Sequence, residues 1–300
     1  MQLLLADSGG TKTNWVLLRP ALAEPPQLQT RGLNPHITAE NTAQEVLRDE
    51  VRPFLQEHWQ AGESLVVTFY GAGCSSPAQR QRVYRWLQQA LFAPPELPTA
   101  IAVHHDLLGA ARACFGRQKG VVGILGTGSS SAEYDGTAIL REAGQHGYLL
   151  QDYGSGRHIG GRILEEALEH RLPEPLRDHF LEFTGEPLLN LRDRLFLAER
   201  PSYELARLAA WPAEFQKVRG HLPQALEAIV KECFQTYVER VLALNYSTSL
   251  PVAFIGGVAG NYARQLAEIT EAAGYAIRHI RQDPLPQLIA FHQQQLAHDA

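Results

Sequence analysis

The sequence predicts an α/β protein built as two similar lobes, and three observations predict it. An apolar strand, a turn of glycines and hydroxyls and a second strand occur at residues 3–18 (LLLADSGGTKTNWVLL). The same pattern returns at residues 120–136 (GVVGILGTGSSSAEYDG), an internal repeat. Between and after the two hairpins, short apolar, β-branched runs alternate with stretches of helical period, and 300 residues are enough for two cores.

The first hairpin holds a turn rich in groups that bind phosphate. Gly9 and Gly10 allow main-chain N–H groups to approach a ligand closely, Thr11, Lys12 and Thr13 add donors, and Asp7 closes the first strand where a magnesium ion could be held. An ordinary bend served by Asp and Gly is the alternative, because short glycine motifs are individually weak signals. The second hairpin offers Gly126, Thr127 and Gly128 in the equivalent turn, and two such loops could hold one polyphosphate through backbone N–H groups.

Along the chain, residues 27–31 predict a third strand leading into GLNPH at 32–36. There Asn34 is held out of the α region by Pro35, either as an exposed ligand contact or as a solvated turn. Residues 38–60 have helical spacing, 64–74 (SLVVTFYGAGC) read as a buried strand ending at Gly71 and Gly73, and 78–91 as a helix. Residues 100–116 give a strand, the triplet His104, His105, Asp106, and an alanine-rich helix. Asp106 is either an N-cap or a carboxylate at the carboxyl ends of the strands, where α/β proteins bind ligands. Adjacent strand side chains point to opposite faces, so His104 and His105 are expected to position or pack rather than to ligate one metal.

Residues 144–160 are polar and glycine-rich around Asp152, which either fixes a turn or meets a ligand, and they feed a helix over 157–170. From 172 to 250 the signals are helical and carry no chemistry. Residues 251–269 then give a buried strand, Gly256 and Gly257, and a helix. The glycine pair leaves room for a flat ring or serves packing. A strand at 275–280 and a helix at 286–296 close the chain.

The composition is 45% hydrophobic and 20% charged, with a net charge of −5 and no basic block, so nucleic acid is not an expected partner. The start of the chain lacks a signal-peptide pattern and no run is long enough to span a bilayer, so no membrane partner and a cytoplasmic location are expected. Cys74, Cys114 and Cys233 are scattered and suggest neither disulfides nor zinc.

In order and spacing, ADSGGTKT at 6–13, GLNP at 32–35, HHD at 104–106, LGTGSSS at 125–131, GYLLQDYGSG at 147–156 and FIGGVAG at 254–260 resemble the N-acetylglucosamine kinase and BadF-type ATPase family. That family lies within the actin-like superfamily of sugar kinases, actin and chaperone ATPases. The resemblance covers nearly the whole chain. It implies two ribonuclease-H-like lobes with ATP and Mg²⁺ between them, one formed by residues 1–116 with 285–300 and the other by 117–284 with a helical insertion.

By the same resemblance, Asp106 is the base that takes the proton of the sugar hydroxyl, Asn34 and Asp152 contact the sugar, and Gln145, His146 and Gly147 line its pocket. Gly9, Gly10, Thr11, Lys12, Thr13, Gly126, Thr127 and Gly128 fall on the phosphate loops, Asp7 on the magnesium position, and Gly256 and Gly257 on the adenosine motif. Lys12 is not a P-loop lysine, because the GxxxxGK[ST] pattern and its following helix are absent. The expected activity is ATP-dependent phosphorylation of an amino sugar, N-acetylglucosamine at its 6-hydroxyl, by a homodimer. The alternatives are a BadF-type ATPase or a non-catalytic sugar or nucleotide sensor. The family's GDEGS is QDYGS here (residues 151–155), which places the departure on the sugar side.

Overall fold

The computed structural model describes residues 1–20, 24–60, 63–91, 99–144, 147 and 149–298. The chain forms two compact units, Met1–Gly116 with the chain from Pro284 onward, and Arg117–Asp283.

Unit one is built on β1 (Gln2–Ser8), β2 (Lys12–Leu18), β3 (Gln27–Arg31), β4 (Leu65–Gly71) and β5 (Thr99–His105), in sheet order β3-β2-β1-β4-β5. β1, β2 and β3 are antiparallel, whereas β4 and β5 run parallel to β1. Both faces of the sheet are covered, which is why β1 reads as a continuous apolar run rather than an alternating one. Leu4, Ala6, Trp15, Leu17, Val67 and Phe69 pack on one side against α1 (Glu40–Val46), α2 (Arg52–His58) and α3 (Pro77–Leu91). Leu3, Leu5, Val16, Leu18 and Tyr70 pack on the other against α4 (Asp106–Phe115) and the C-terminal helix (Leu285–His298).

The helical stretch predicted over 38–60 is interrupted by a π turn, Leu47–Val51, joining α1 to α2. Pro53 supplies the reason: it has no N–H to give to the carbonyl four residues back, so the ladder widens there.

Unit two repeats the plan with β6 (Gly120–Leu125), β7 (Ser129–Tyr134), β8 (Ile139–Ala143), β9 (Val252–Ile255) and β10 (Ile277–Arg281), in order β10-β9-β6-β7-β8. Read from β8, this is the order of unit one: an antiparallel meander followed by two strands parallel to its first member. The sequence repeat is therefore a repeat of topology. Helix α5 (Gly156–Leu168) leads to α6 (Glu174–Thr184), α7 (Leu188–Leu197), α8 (Pro201–Leu208) and α9 (Ala210–Arg219), which with α10 (Gln224–Tyr237) and α11 (Ala243–Asn245) form the helical body. Helices α12 (Gly257–Asn261) and α13 (Ala263–Ala272) follow β9, and the C-terminal helix is α14. The core of unit two gathers Val121, Leu125, Ile159, Ile163, Trp211, Phe234, Tyr237 and Phe254 around this sheet.

Candidate active site

In unit one the register of three parallel strands defines the site's edge. Ser8, Gly71 and His105 stand in one row across β1, β4 and β5, and Asp7, Tyr70 and His104 in the row before it. The β1–β2 turn, the loop after β4 and the first turn of α4 therefore emerge at the same end of the sheet. Asp7 and Asp106 therefore stand at the same end of the sheet, two strands apart.

The β1–β2 turn is closed by the Gly9 N–H donating to the Lys12 carbonyl at 2.9 Å, and tied down by the Gly32 N–H donating to the Thr11 carbonyl at 2.9 Å. Gly10, Thr11 and Lys12 are exposed and Asp7 is half-buried. Among the described residues the N–H groups of Gly10 and Thr11 have no acceptor, so they remain available to a ligand. Thr13, expected among the phosphate-binding residues, corrects that expectation. It is fully buried, its hydroxyl 2.8 Å from Ser8 Oγ and donating to the Arg31 carbonyl at 3.2 Å, while the Leu33 N–H donates to Ser8 Oγ at 3.1 Å. Ser8 and Thr13 thus clamp the hairpin to residues 31–33.

Gly32 has a specific steric reason. A Cβ there would lie 2.6 Å from the Gly9 carbonyl oxygen and 3.0 Å from the carbonyl carbons of Gly10 and Thr11, all backbone atoms. Gly32→Ala is therefore expected to displace the turn at a cost of about 1–3 kcal/mol. If that cost falls on nucleotide binding, it appears as a nucleotide KM raised roughly tenfold or more. A nucleotide titration of the variant measures it, and an unchanged KM would remove Gly32 from the site.

Asn34 forms an Asx turn: its Oδ1 accepts from the His36 N–H at 2.9 Å, and its carbonyl accepts from Ile37 and Thr38. That leaves the amide nitrogen as its outward group. Gly73, with φ of +82°, brings the loop after β4 against it, and a Cβ on Gly73 would sit 2.4 Å from Asn34 Oδ1.

Asp106 is the first residue of α4, not its cap. The cap position belongs to His105, which makes no side-chain capping bond. Asp106 Oδ1 accepts from the Leu107 N–H at 2.9 Å and lies 2.9 Å from His105 Nε2, with the carboxylate partly exposed. The buried Cys74 thiol is pushed up to about 12 by burial first and by the Asp106 charge second, with Arg80 opposing. His104 turns to a different task, stacking on Tyr70 with ring centroids 5.4 Å apart, and burial, then Arg112, lowers it to about 4.

In unit two the β6–β7 turn is closed by the Gly126 N–H donating to the Gly128 carbonyl at 3.0 Å. The first N–H groups of α5 hold it from behind, Gly156 donating to the Gly126 carbonyl at 2.8 Å and Arg157 to the Thr127 carbonyl at 3.1 Å. Helix N-terminal donors that would otherwise lack partners are satisfied by the loop. Its own Thr127 and Gly128 N–H groups have no acceptor among the described residues, and a Cβ on Gly126 would meet nothing. The two turns share this geometry, carbonyls tied back and N–H groups unpaired, which suits an anion.

Asp152, expected at the sugar, is held against the second turn. It is 8% exposed, in the left-handed region at φ +69°, and its Oδ1 accepts from the Ser129 N–H at 3.1 Å beneath Gly128. Its contact is with the second turn, so it acts as that turn's prop. Arg157 assists, donating from Nη2 to the Gln151 carbonyl at 2.7 Å, and Ser155 caps α5 by accepting from the His158 N–H at 3.2 Å. Gly147 is exposed at φ +76°, and Gln145 and His146 lie outside the described residues.

Burial pushes the Asp152 carboxyl up from its ordinary value, against the lowering effects of the Ser129 N–H and Arg157. The folded protein therefore holds this proton more tightly than the unfolded chain. The group's contribution to stability is fully present below the ordinary carboxylate range and is lost as pH rises through the folded value. Asp152→Asn keeps an oxygen for the Ser129 N–H and removes the buried charge. It is expected to melt higher than the parent at neutral pH, with the difference vanishing below about pH 4, as thermal melts across pH would record.

Gly256 and Gly257 divide the roles the sequence left open. Gly256 has φ +121°, and a Cβ there would lie 2.3 Å from the Leu125 carbonyl oxygen, so it packs against the base of the second turn. Gly257 opens α12 with nothing near its missing side chain, and it is the one that leaves room for a ring. Gly32, Ser8 and Gly73 fall within stretches the sequence marked, but their contacts with the first turn and with Asn34 were not legible there, and Arg157 was singled out by no local pattern.

No protein-family model and no curated protein sequence matches the chain. Among solved structures, it is similar to a proposed N-acetylglucosamine kinase from Porphyromonas gingivalis, at 31% identity over 97% of this chain and 99% of that one, with a TM-score of 0.86. A proposed N-acetylglucosamine kinase from Chromobacterium violaceum matches at 21% identity over 97% and 98%, with a TM-score of 0.70. A ROK family glucokinase from Streptomyces griseus, solved with glucose and AMPPNP, matches at 13% identity over 100% of both chains, with a TM-score of 0.58. At those two lower identities the likeness is one of fold, that of the actin-like ATPases.

Proposed function

The chain belongs to the N-acetylglucosamine kinase and BadF-type ATPase family of the actin-like sugar kinase superfamily, and on that premise we propose that it is an ATP-dependent sugar kinase. We assign it an amino sugar as acceptor, N-acetylglucosamine at its 6-hydroxyl. The observation that carries this reading is the edge of unit one, where the strand register sets a carboxylate suited to metal, Asp7, and a carboxylate suited to a hydroxyl, Asp106, at the same end of the sheet, two strands apart.

The residues fit the groups the reading requires. The unpaired N–H groups of Gly10, Thr11, Thr127 and Gly128 are donors for phosphate oxygens, Lys12 adds a positive charge, and the open backbone at Gly257 accepts the adenosine ring. Asp7 offers the oxygen ligand that a magnesium ion takes. When bound, that ion neutralises charge on the phosphates. Asn34 donates its amide N–H to a sugar hydroxyl, and Asp106 accepts the proton of the attacking hydroxyl. Phosphoryl transfer needs mainly alignment and charge neutralisation, so this short inventory is sufficient. Asp152, which props the second turn, remains proposed for the sugar pocket together with His146 and Gly147.

The BadF-type alternative requires thiolates that converge on an iron–sulfur cluster. Cys74, Cys114 and Cys233 are buried on separate elements, and the described residues hold no group of three metal-ligating side chains. Among the described residues no helix is long and apolar enough to cross a membrane. A cytoplasmic location and a homodimer belong to the proposal, the latter measurable by light scattering.

The test is coupled ADP release over hexoses, N-acetylhexosamines, N-acetylmuramate and anhydro sugars. Release stimulated most by N-acetylglucosamine is the expected result. Folded protein without any sugar-dependent release would sink the kinase reading and leave the sensor.

A further inference from the structure

We propose that His105 is a positioning residue for Asp106, holding one carboxylate oxygen so that the other is presented to the acceptor hydroxyl; this rests on the reading of Asp106 as the base. Three features carry it. First, Asp106 Oδ1 accepts from the Leu107 N–H at 2.9 Å and also lies 2.9 Å from His105 Nε2. A carboxylate oxygen accepts only, so contact at that distance calls for a proton on Nε2. With both contacts on Oδ1, Oδ2 is the oxygen that meets the acceptor hydroxyl and receives its proton, while the hydroxyl oxygen forms the new bond to phosphorus and ADP leaves. His105 neither gains nor loses a proton in that step.

Second, the two adjacent histidines are divided by strand geometry. Side chains at successive strand positions face opposite sides, and His104 takes the packing role against Tyr70, leaving His105 with the carboxylate. Third, His105 ends β5 and Asp106 begins α4, so the pair spans the strand-to-helix junction. The histidine therefore fixes the carboxylate to the sheet as well as to its own helix.

A donor beside the ionised carboxylate favours that form over the protonated one, so its loss is expected to weaken the base.

The experiment compares the full-length protein with His105→Met, similar in size without a donor, and His105→Gln, whose amide can donate in place of Nε2. Sugar-dependent ADP release is measured at pH 7. His105→Met is expected to lose about 10- to 100-fold in kcat, with sugar KM nearly unchanged. His105→Gln should regain most of the kcat. Parental kcat in folded His105→Met overturns the inference while leaving the kinase intact, as does a folded His105→Gln without rescue. If His105→Met does not fold, His105→Ala takes its place under the same criterion. A parent protein without sugar-dependent release, by contrast, removes the kinase reading and this inference with it.

Discussion

Asp106→Asn is expected to lower sugar-dependent ADP release by about 10²- to 10⁴-fold, the range in which a positioned general base contributes. The substitution is nearly isosteric. The asparagine oxygen can take the place of Oδ1, accepting from the Leu107 N–H beside His105 Nε2. The start of α4 and the strand register that fixes it are then unchanged. What disappears is the oxygen able to take a proton, because an amide nitrogen has no lone pair to offer. Binding of sugar and nucleotide should therefore stay within a few-fold of the parent by calorimetry while turnover collapses. A loss of less than tenfold would reject Asp106 as the base. A parent that binds sugar without turning over would instead place the chain among sensors.

The second large effect is on stability and falls at Gly256. Its backbone, at φ 121° and ψ 167°, lies in a region populated essentially by glycine alone. An added methyl would also lie 2.3 Å from the Leu125 carbonyl oxygen and 2.8 Å from its carbon, atoms that cannot swing aside. Backbone strain and overpacking together cost about 2–6 kcal/mol in Gly256→Ala, a large share of the total stability of a domain. Urea unfolding should show a midpoint far below the parent's. Gly257→Ala is the internal control, since nothing surrounds its missing side chain and the residue is helical. It is expected to leave the midpoint unchanged or slightly raised, while raising the nucleotide KM where the ring rests on this backbone. If both variants unfolded alike, the division of roles between the two glycines would be wrong.

The same contrast explains how far the site was legible. The turns were readable because glycine and hydroxyl residues between two apolar runs have few other uses, and both turned out to bear unpaired N–H groups. Asp106 was readable as a carboxylate where a strand gives way to a helix, though its place as the first helical residue rather than the cap was not. Thr13 looked like a donor for phosphate because it follows Lys12. Only the register with β3 shows that it points inward, to Ser8 and the Arg31 carbonyl. Asp152 was read as a ligand contact because glycines surround it, and its packing beneath Gly128, more than twenty residues earlier, was not legible in that pattern. Pro53 was visible, but its consequence, one widened turn in an otherwise continuous helix, depends on the packing that keeps the helix together.

The sequence by itself determined the α/β class, the repeated hairpin and the order of strands and helices, because apolar periodicity and turn chemistry are local properties of the chain. Tertiary structure alone decided which turn residues keep open backbone groups among the described residues and which are packed into the scaffold. Gly32 against the first turn, Gly256 against Leu125, and Asp152 beneath Gly128 are contacts between segments distant in sequence. Their existence depends on strand register and close packing, which set backbone against backbone with no room for a single added carbon.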